Sequence, residues 1–178
     1  MIKPEKDFAI PEQTTKVAQA AFPTGNIYMR MRDEVGRIYE DEELAELYPE
    51  TGQPAINPWR LAMVTIMQYV ENLTDRQAAD AVRGRIDWKY ALGLELEDSG
   101  FDFSVLSEFR QRMIDGGKEA VLLEKLLERL EASGLLKGKH TQRTDATHVI
   151  AKVRHMNRLE MVGETVRRAL NDLSLIHI

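Results

Sequence analysis

The run Trp59 to Val70 constrains this chain more than any other feature. Its Leu61, Ala62, Met63, Val64, Ile66 and Met67 are apolar around most of a helical circumference, which predicts a helix buried on nearly every side. A helix of that kind needs a shell of other elements around it. Its start is marked by Asn57-Pro58: proline at the first helical position loses no needed donor, and an asparagine before it is able to accept from free backbone N–H groups.

The rest of the chain supplies such a shell. Ile27, Met31, Val35 and Ile38 recur at helical steps from about Asn26, and Leu44, Leu47 and Tyr48 suggest a second short helix before Pro49, Gly52 and Pro54. Thr74-Asp75-Arg76-Gln77 has the capping-box pattern and predicts a helix through Ala78, Ala79, Ala81 and Val82 that stops near Gly84. A short helix around Ala91-Leu92 ends at Gly93. Another starts at Asp102 or Ser104 and turns Val105, Leu106, Phe109 and Met113 inward, and Val121 to Leu130 forms the next. Residues 1–24, with Pro4, Pro11 and Pro23 and little periodicity, read as an irregular arm. Beyond Gly134 and Gly138 the character changes: Thr141 to Val153 is rich in β-branched residues and predicts the chain's one strand, followed by a helix from about Met156 to Leu170.

Composition excludes several classes. With 43% hydrophobic and 30% charged residues the chain is globular, and with no cysteine it has neither disulfides nor a thiolate zinc site. No stretch approaches the roughly 20 apolar residues of a membrane span, so the reading is a cytoplasmic protein without a membrane partner. The net charge of -5 argues against a surface coated for nucleic acid. Its distribution points the other way. From Asp33 to Glu50 eight acids stand against Arg37 alone, whereas from Lys137 to Arg168 eight bases face Asp145, Glu160 and Glu164.

Three constellations bear on chemistry. The capped helix after Leu73, with Arg76, Arg83, Arg85 and Lys89 nearby, suggests a helix-turn-helix arrangement that places arginines and a lysine on DNA; a small bundle with solvated arginines fits the same spacing. The helix start at Ser104 is a candidate phosphate site, because free N–H groups and the helix dipole both favour an anion. Arg110 and Arg112 cannot share one helix face, so one would meet phosphate while the other pairs with a carboxylate such as Glu108 or Glu119. Third, Asp145 sits mid-strand, where aspartate is depleted. Strand alternation sets it beside Arg143 and Thr147, and a carboxylate fixed there suits Mg²⁺; a plain salt bridge to Arg143 or an edge lysine is the other reading. His140, His148 and His155 match no compact ligand spacing.

Taken in order, several segments resemble the DDE transposases of bacterial insertion sequences. They are Leu73 to Ala79, Asp87 to Leu94, Phe103 to Arg112, Gln142 to Val149 and Asn157 to Thr165. The resemblance implies a mainly α chain: a multi-helix N-terminal bundle with a helix-turn-helix-like portion, then a truncated RNase H-like α/β start. It divides the chain into the arm 1–24, a DNA-binding helical domain 25–136, the start of a catalytic domain 137–172 and a tail 173–178.

On that resemblance Asp145 is the first catalytic acid and a ligand to one of two Mg²⁺ ions, and Arg76, Arg83, Arg85, Lys89, Ser104, Arg110, Arg112, Arg143, Lys152 and Arg154 are candidate DNA contacts. The implied partners are the element's terminal inverted repeats and further copies of the chain. The family's second aspartate and its glutamate would lie beyond Ile178, so DNA binding is expected to persist and strand transfer to be lost. The tail looks like a reading frame through a transposon-end adaptor and is expected to be non-native, the shortened frame being a gene-model artefact or a decayed copy. A standalone repressor of transposition and a helical oligomerisation domain are the competing functions.

Overall fold

The computed structural model describes residues 1, 2, 8–52 and 55–134. Within them lie seven α-helices and one 3₁₀ helix: α1 (Glu12–Ala21), α2 (Ile27–Val35), the 3₁₀ helix (Asp41–Leu47), α3 (Pro58–Glu71), α4 (Asp75–Gly84), α5 (Ile86–Leu92), α6 (Ser104–Asp115) and α7 (Glu119–Ala132). The protein is mainly α, and no strand occurs among the described residues. The predicted strand 141–153, the helix after it and Asp145 all lie outside the described residues.

Other elements converge on α3. Trp59, Leu61, Ala62, Met63, Val64, Ile66 and Met67 are buried, as the all-round apolar run requires, and α4, α5, α6 and the 3₁₀ helix pack against it. One large cluster joins these residues to Trp88, Leu92, Leu106, Phe109, Leu122, Leu126 and Leu130. The α7 leucines repeat at steps of four and close the core from one side.

The arm expected over residues 1–24 contains α1 instead. Pro11 immediately precedes the helix and Pro23 follows it, so these two prolines flank a helix and do not interrupt one. Its apolar side is narrow. Ala18 is buried against Met29 and Tyr90, with Ile10, Phe22 and Ile86 around them, and the Thr14 hydroxyl donates to the Leu94 carbonyl at 2.7 Å. So few contacts leave little periodicity in the sequence.

Two helix ends are capped from a distance. The Asn57 side chain does not cap α3, contrary to expectation. It donates to Asp41 Oδ2 at 2.8 Å, while Asp41 Oδ1 accepts the free Trp59 N–H at 3.2 Å. The fully buried Asp41 therefore does the capping, with the favourable sign for a helix N-terminus. At the other pole, the last carbonyls of α5 receive two cations: Arg32 donates to Ala91 O at 3.4 Å, and Arg60 to Leu92 O at 3.0 Å and Gly93 O at 3.3 Å. Arg32 also donates to Phe8 O and lies 3.3 Å from the centre of the Phe8 ring, which fixes Phe8 edge-on against Trp59.

The acidic stretch from Asp33 to Glu50 is largely engaged with the protein itself. Glu43 pairs with Lys125 at 3.0 Å and Glu46 with Lys118 at 2.5 Å, tying the 3₁₀ helix to α7. Tyr39 is buried and its hydroxyl donates to Leu122 O at 2.6 Å.

Candidate nucleic-acid interface

Helices α3 and α4 are joined by the short turn Asn72-Leu73-Thr74. Asn72 adopts the left-handed conformation, φ 54°, ψ 46°, which a non-glycine residue tolerates best when it is asparagine. Leu73 N–H then returns to Gln68 O at 2.9 Å, the pattern of a helix closed by a left-handed residue. The Gln68 amide secures both sides of the turn by donating to Leu73 O at 3.1 Å and Asp75 Oδ1 at 2.7 Å. Thr74 and Gln77 form the predicted capping box, each side chain meeting the other's backbone N–H. A small-residue face, Ala78, Ala79, Ala81 and Val82, lets α4 approach the bundle closely.

That packing leaves Arg76, Gln77, Asp80 and Arg83 exposed along one side of α4. The Arg76 guanidinium lies 4.6 Å from the centre of the Phe103 ring, which is 39% exposed, so a cation and an aromatic face meet solvent together. Arg83 donates to Ser99 O at 3.1 Å and to Asp80 at 3.1 Å. Sequence reasoning did not place Phe103 or Gln77 among the DNA contacts. The signal for Gln77 was present, since the capping box itself fixes which side of α4 the third residue occupies.

The other sequence candidates are internally engaged. Lys89 is 3% exposed and its ammonium donates to the carbonyls of Glu95, Leu96 and Asp98 at 3.3, 2.9 and 2.6 Å. Burial removes it from the surface that DNA would meet. Arg85 pairs with Glu71 at 2.5 Å and Asp87 at 2.6 Å and stacks near Tyr28 and Trp88. Arg112 approaches Glu108 at 3.8 Å and lies 4.7 Å from the Tyr48 ring centre. Ser104 does not cap α6 for an incoming anion: the Asp102 carboxylate accepts its N–H at 2.9 Å, filling the helix N-terminus with the protein's own negative charge. The Ser104 hydroxyl and N–H accordingly hold the Asp102 carboxyl below its ordinary range.

Arg110 makes a two-pronged pair with Asp75, Nη1 to Oδ1 at 2.9 Å and Nη2 to Oδ2 at 2.6 Å. The two arginines of α6 diverge as expected, yet both meet carboxylates. The Arg110 hydrogen bond is the main cause that holds the Asp75 carboxyl below the usual carboxylate range, with Gln68 assisting and burial opposing. A carboxylate whose folded pKa is depressed adds stability above its unfolded pKa, and loses that contribution as pH falls through the folded value. Chemical denaturation between pH 7 and 2.5 should therefore show an Asp75→Asn variant that is about 1 kcal/mol less stable at neutral pH and that starts to converge on the native protein only below about pH 4, as pH falls towards the lowered folded value. Parallel curves would remove the ion pair from the account.

Among the described residues no group of three or more His, Cys, Asp or Glu is arranged to hold a metal ion. Asp145, Arg143, Lys152 and Arg154 lie outside the described residues. No helix among the described residues is long and apolar enough to cross a membrane.

The described part is thus a helical domain with two helices joined through a three-residue turn and a polar, partly basic face on the second. Residues 16–112, from within α1 to within α6, match the family model for the Transposase domain (DUF772). The match covers more than half of the chain, and the chain belongs to that transposase-domain family. Searches of curated proteins and of solved structures returned no match.

Proposed function

We propose that this transposase-related protein binds DNA through α4, as the second helix of a helix-turn-helix-like pair with α3, in the transposition of an insertion sequence. The observation that carries the reading is the exposed row Arg76, Gln77 and Arg83 on α4, behind a three-residue turn and inside the matched transposase region. Helix-turn-helix domains read bases with residues near the start of the second helix, where arginine favours guanine and glutamine favours adenine. Arg76 holds such a position, and Gln77, whose Oε1 closes the capping box, offers a base only its Nε2 donors. Arg83, about two turns beyond Arg76, is placed for a backbone phosphate.

The expected partners are the element's terminal inverted repeats, with binding by more than one copy of the chain in the cytoplasm. The basic residues of 137–168, Arg143, Lys152 and Arg154 among them, would add phosphate contacts, and Asp145 would serve a DDE centre as a magnesium ligand. When bound, Mg²⁺ would supply charge stabilisation at the cleaved phosphate. The excess of acids over bases among the described residues favours one rival, a domain that only mediates oligomerisation. That rival predicts no binding to a terminal-repeat duplex at any salt concentration.

Fluorescence anisotropy with such a duplex separates the two. Replacing Arg76 and Arg83 together with alanine should weaken binding by about tenfold or more at low salt and make the slope of log affinity against log salt shallower by roughly one, the share of the phosphate-facing Arg83. Unchanged affinity and slope in the double variant would rule out α4 as the contact helix.

A further inference from the structure

Lys89 is buried and yet bonded to no carboxylate among its described contacts. All three of its hydrogen bonds go to backbone carbonyls of one loop, at Glu95, Leu96 and Asp98. We infer that Lys89 is a positioning residue for the DNA-reading helix, setting the loop 94–101 that braces the C-terminal half of α4 and orients Arg83. This rests on the proposed role of α4 and specifies what shapes that site.

The chain of contacts is continuous. Lys89 gathers the carbonyls of Glu95, Leu96 and Asp98 on one ammonium. Asp98 then turns the loop by accepting Gly100 N–H at 2.7 Å, and Ser99 O accepts from Arg83 Nε at 3.1 Å. Gly100, at φ +69°, lies against α4: a Cβ built there would come within 3.6 Å of Arg83 N and Val82 Cγ1 and 3.7 Å of Ala79 O. The loop therefore touches the backbone and the arginine of α4 at once.

Packing beneath the loop does not substitute for the lysine. Leu94, Asp98, Gly100 and Phe101 line a partly open cavity of about 150 Å³ together with Val64, Val82 and Leu92. On that side the loop meets an open pocket in place of packed side chains, so it depends more heavily on its hydrogen bonds than a close-packed one would. Three donors from one ammonium, held in a helix that is itself buried from Asp87 to Leu92, are the strongest set it has.

The test uses the full chain, hydrogen exchange and a terminal-repeat duplex. Lys89→Met should accelerate exchange of the Asp98 and Gly100 amides by about tenfold or more while α3 and α6 stay protected. It should weaken DNA binding by about fivefold or more with the salt slope unchanged, because a buried ammonium neutralises no phosphate. Arg83→Gln should instead make the slope shallower by about one. Leu126→Ala, which trims the α7 core, should lower Tm and leave affinity alone. If Lys89→Met does not fold, Gly100→Ala disturbs the same loop through its backbone conformation and should reproduce both effects.

Native-like loop exchange in these variants overturns the inference. So does faster exchange with native affinity, or a shallower salt slope for Lys89→Met. A native chain that binds no duplex at low salt defeats the α4 reading itself, and the inference with it. A native chain that binds while Lys89→Met binds equally well defeats the inference alone.

Discussion

Replacing Asp41 with alanine should cost about 3–5 kcal/mol of folding stability, a large share of what a domain of this size has to lose. Asp41 is fully buried, accepts from the Asn57 amide and the Trp59 N–H, and lies 3.6 Å from an Arg37 guanidinium nitrogen. Alanine leaves each of these donors in a protein interior without that acceptor. The α3 N-terminus loses its cap, and α3 is the helix on which the core is assembled. Asparagine keeps one acceptor oxygen and the shape while removing the charge, so Asp41→Asn should lose about half as much. Urea denaturation followed by far-ultraviolet circular dichroism measures both. A loss under about 1 kcal/mol for Asp41→Ala would mean that α3 is capped some other way.

Glu71→Ala should be the second large loss, about 2–4 kcal/mol by the same measurement. Glu71 ends α3, where a carboxylate opposes the helix dipole, so it is held there by its partners. Tyr28 Oη donates to it at 2.5 Å, Arg85 at 2.5 Å and Trp88 Nε1 at 3.4 Å. Burial first, and then the Glu71 carboxylate, raise the Tyr28 hydroxyl pKa well above its ordinary value. Truncation strands that hydroxyl and leaves Arg85 with Asp87 alone among its carboxylate partners in this network. Because the network joins α2, α3 and α5, the loss should appear in cooperativity as well as midpoint. Glu71→Gln still accepts from Tyr28 and should lose less. Equal losses for the two variants would place the effect on charge alone.

Much of this domain was legible in its sequence, and the residues show why. Trp59 to Val70 read as a buried helix because apolar groups on every face have no other stable place. The capping box at Thr74 and Gln77 and the stop at Gly93 were legible because they are made within a few residues of themselves. Helix α1 was missed because its buried side is little more than Thr14 and Ala18, too few groups to make a period.

The candidate interface was legible only in part. Arg76 and Arg83 stand on the exposed side of α4, as the arrangement near the capping box suggested. Spacing gave Arg85, Lys89 and Arg110 the same standing, since a sequence records that a residue is cationic and not what lies opposite it. The partners that engage these three are Glu71 for Arg85, the carbonyls of a loop for Lys89, and Asp75 for Arg110. Glu71 and Asp75 stand 14 and 35 positions away from the arginines they meet.

By itself the sequence determined a helical shell around one central helix, the turn that leads into α4 and the membership of a transposase-domain family, because these rest on periodicity, local capping and a long ordered pattern. The tertiary structure decided which charges face solvent and which hold the fold. Asp41 became a cap, Asp102 filled the site offered at Ser104, and Lys89 became a buried brace. The physical reason is common to all three: a charged group's role is set by the donors and acceptors within about 3 Å of it, and folding chooses those from anywhere in the chain.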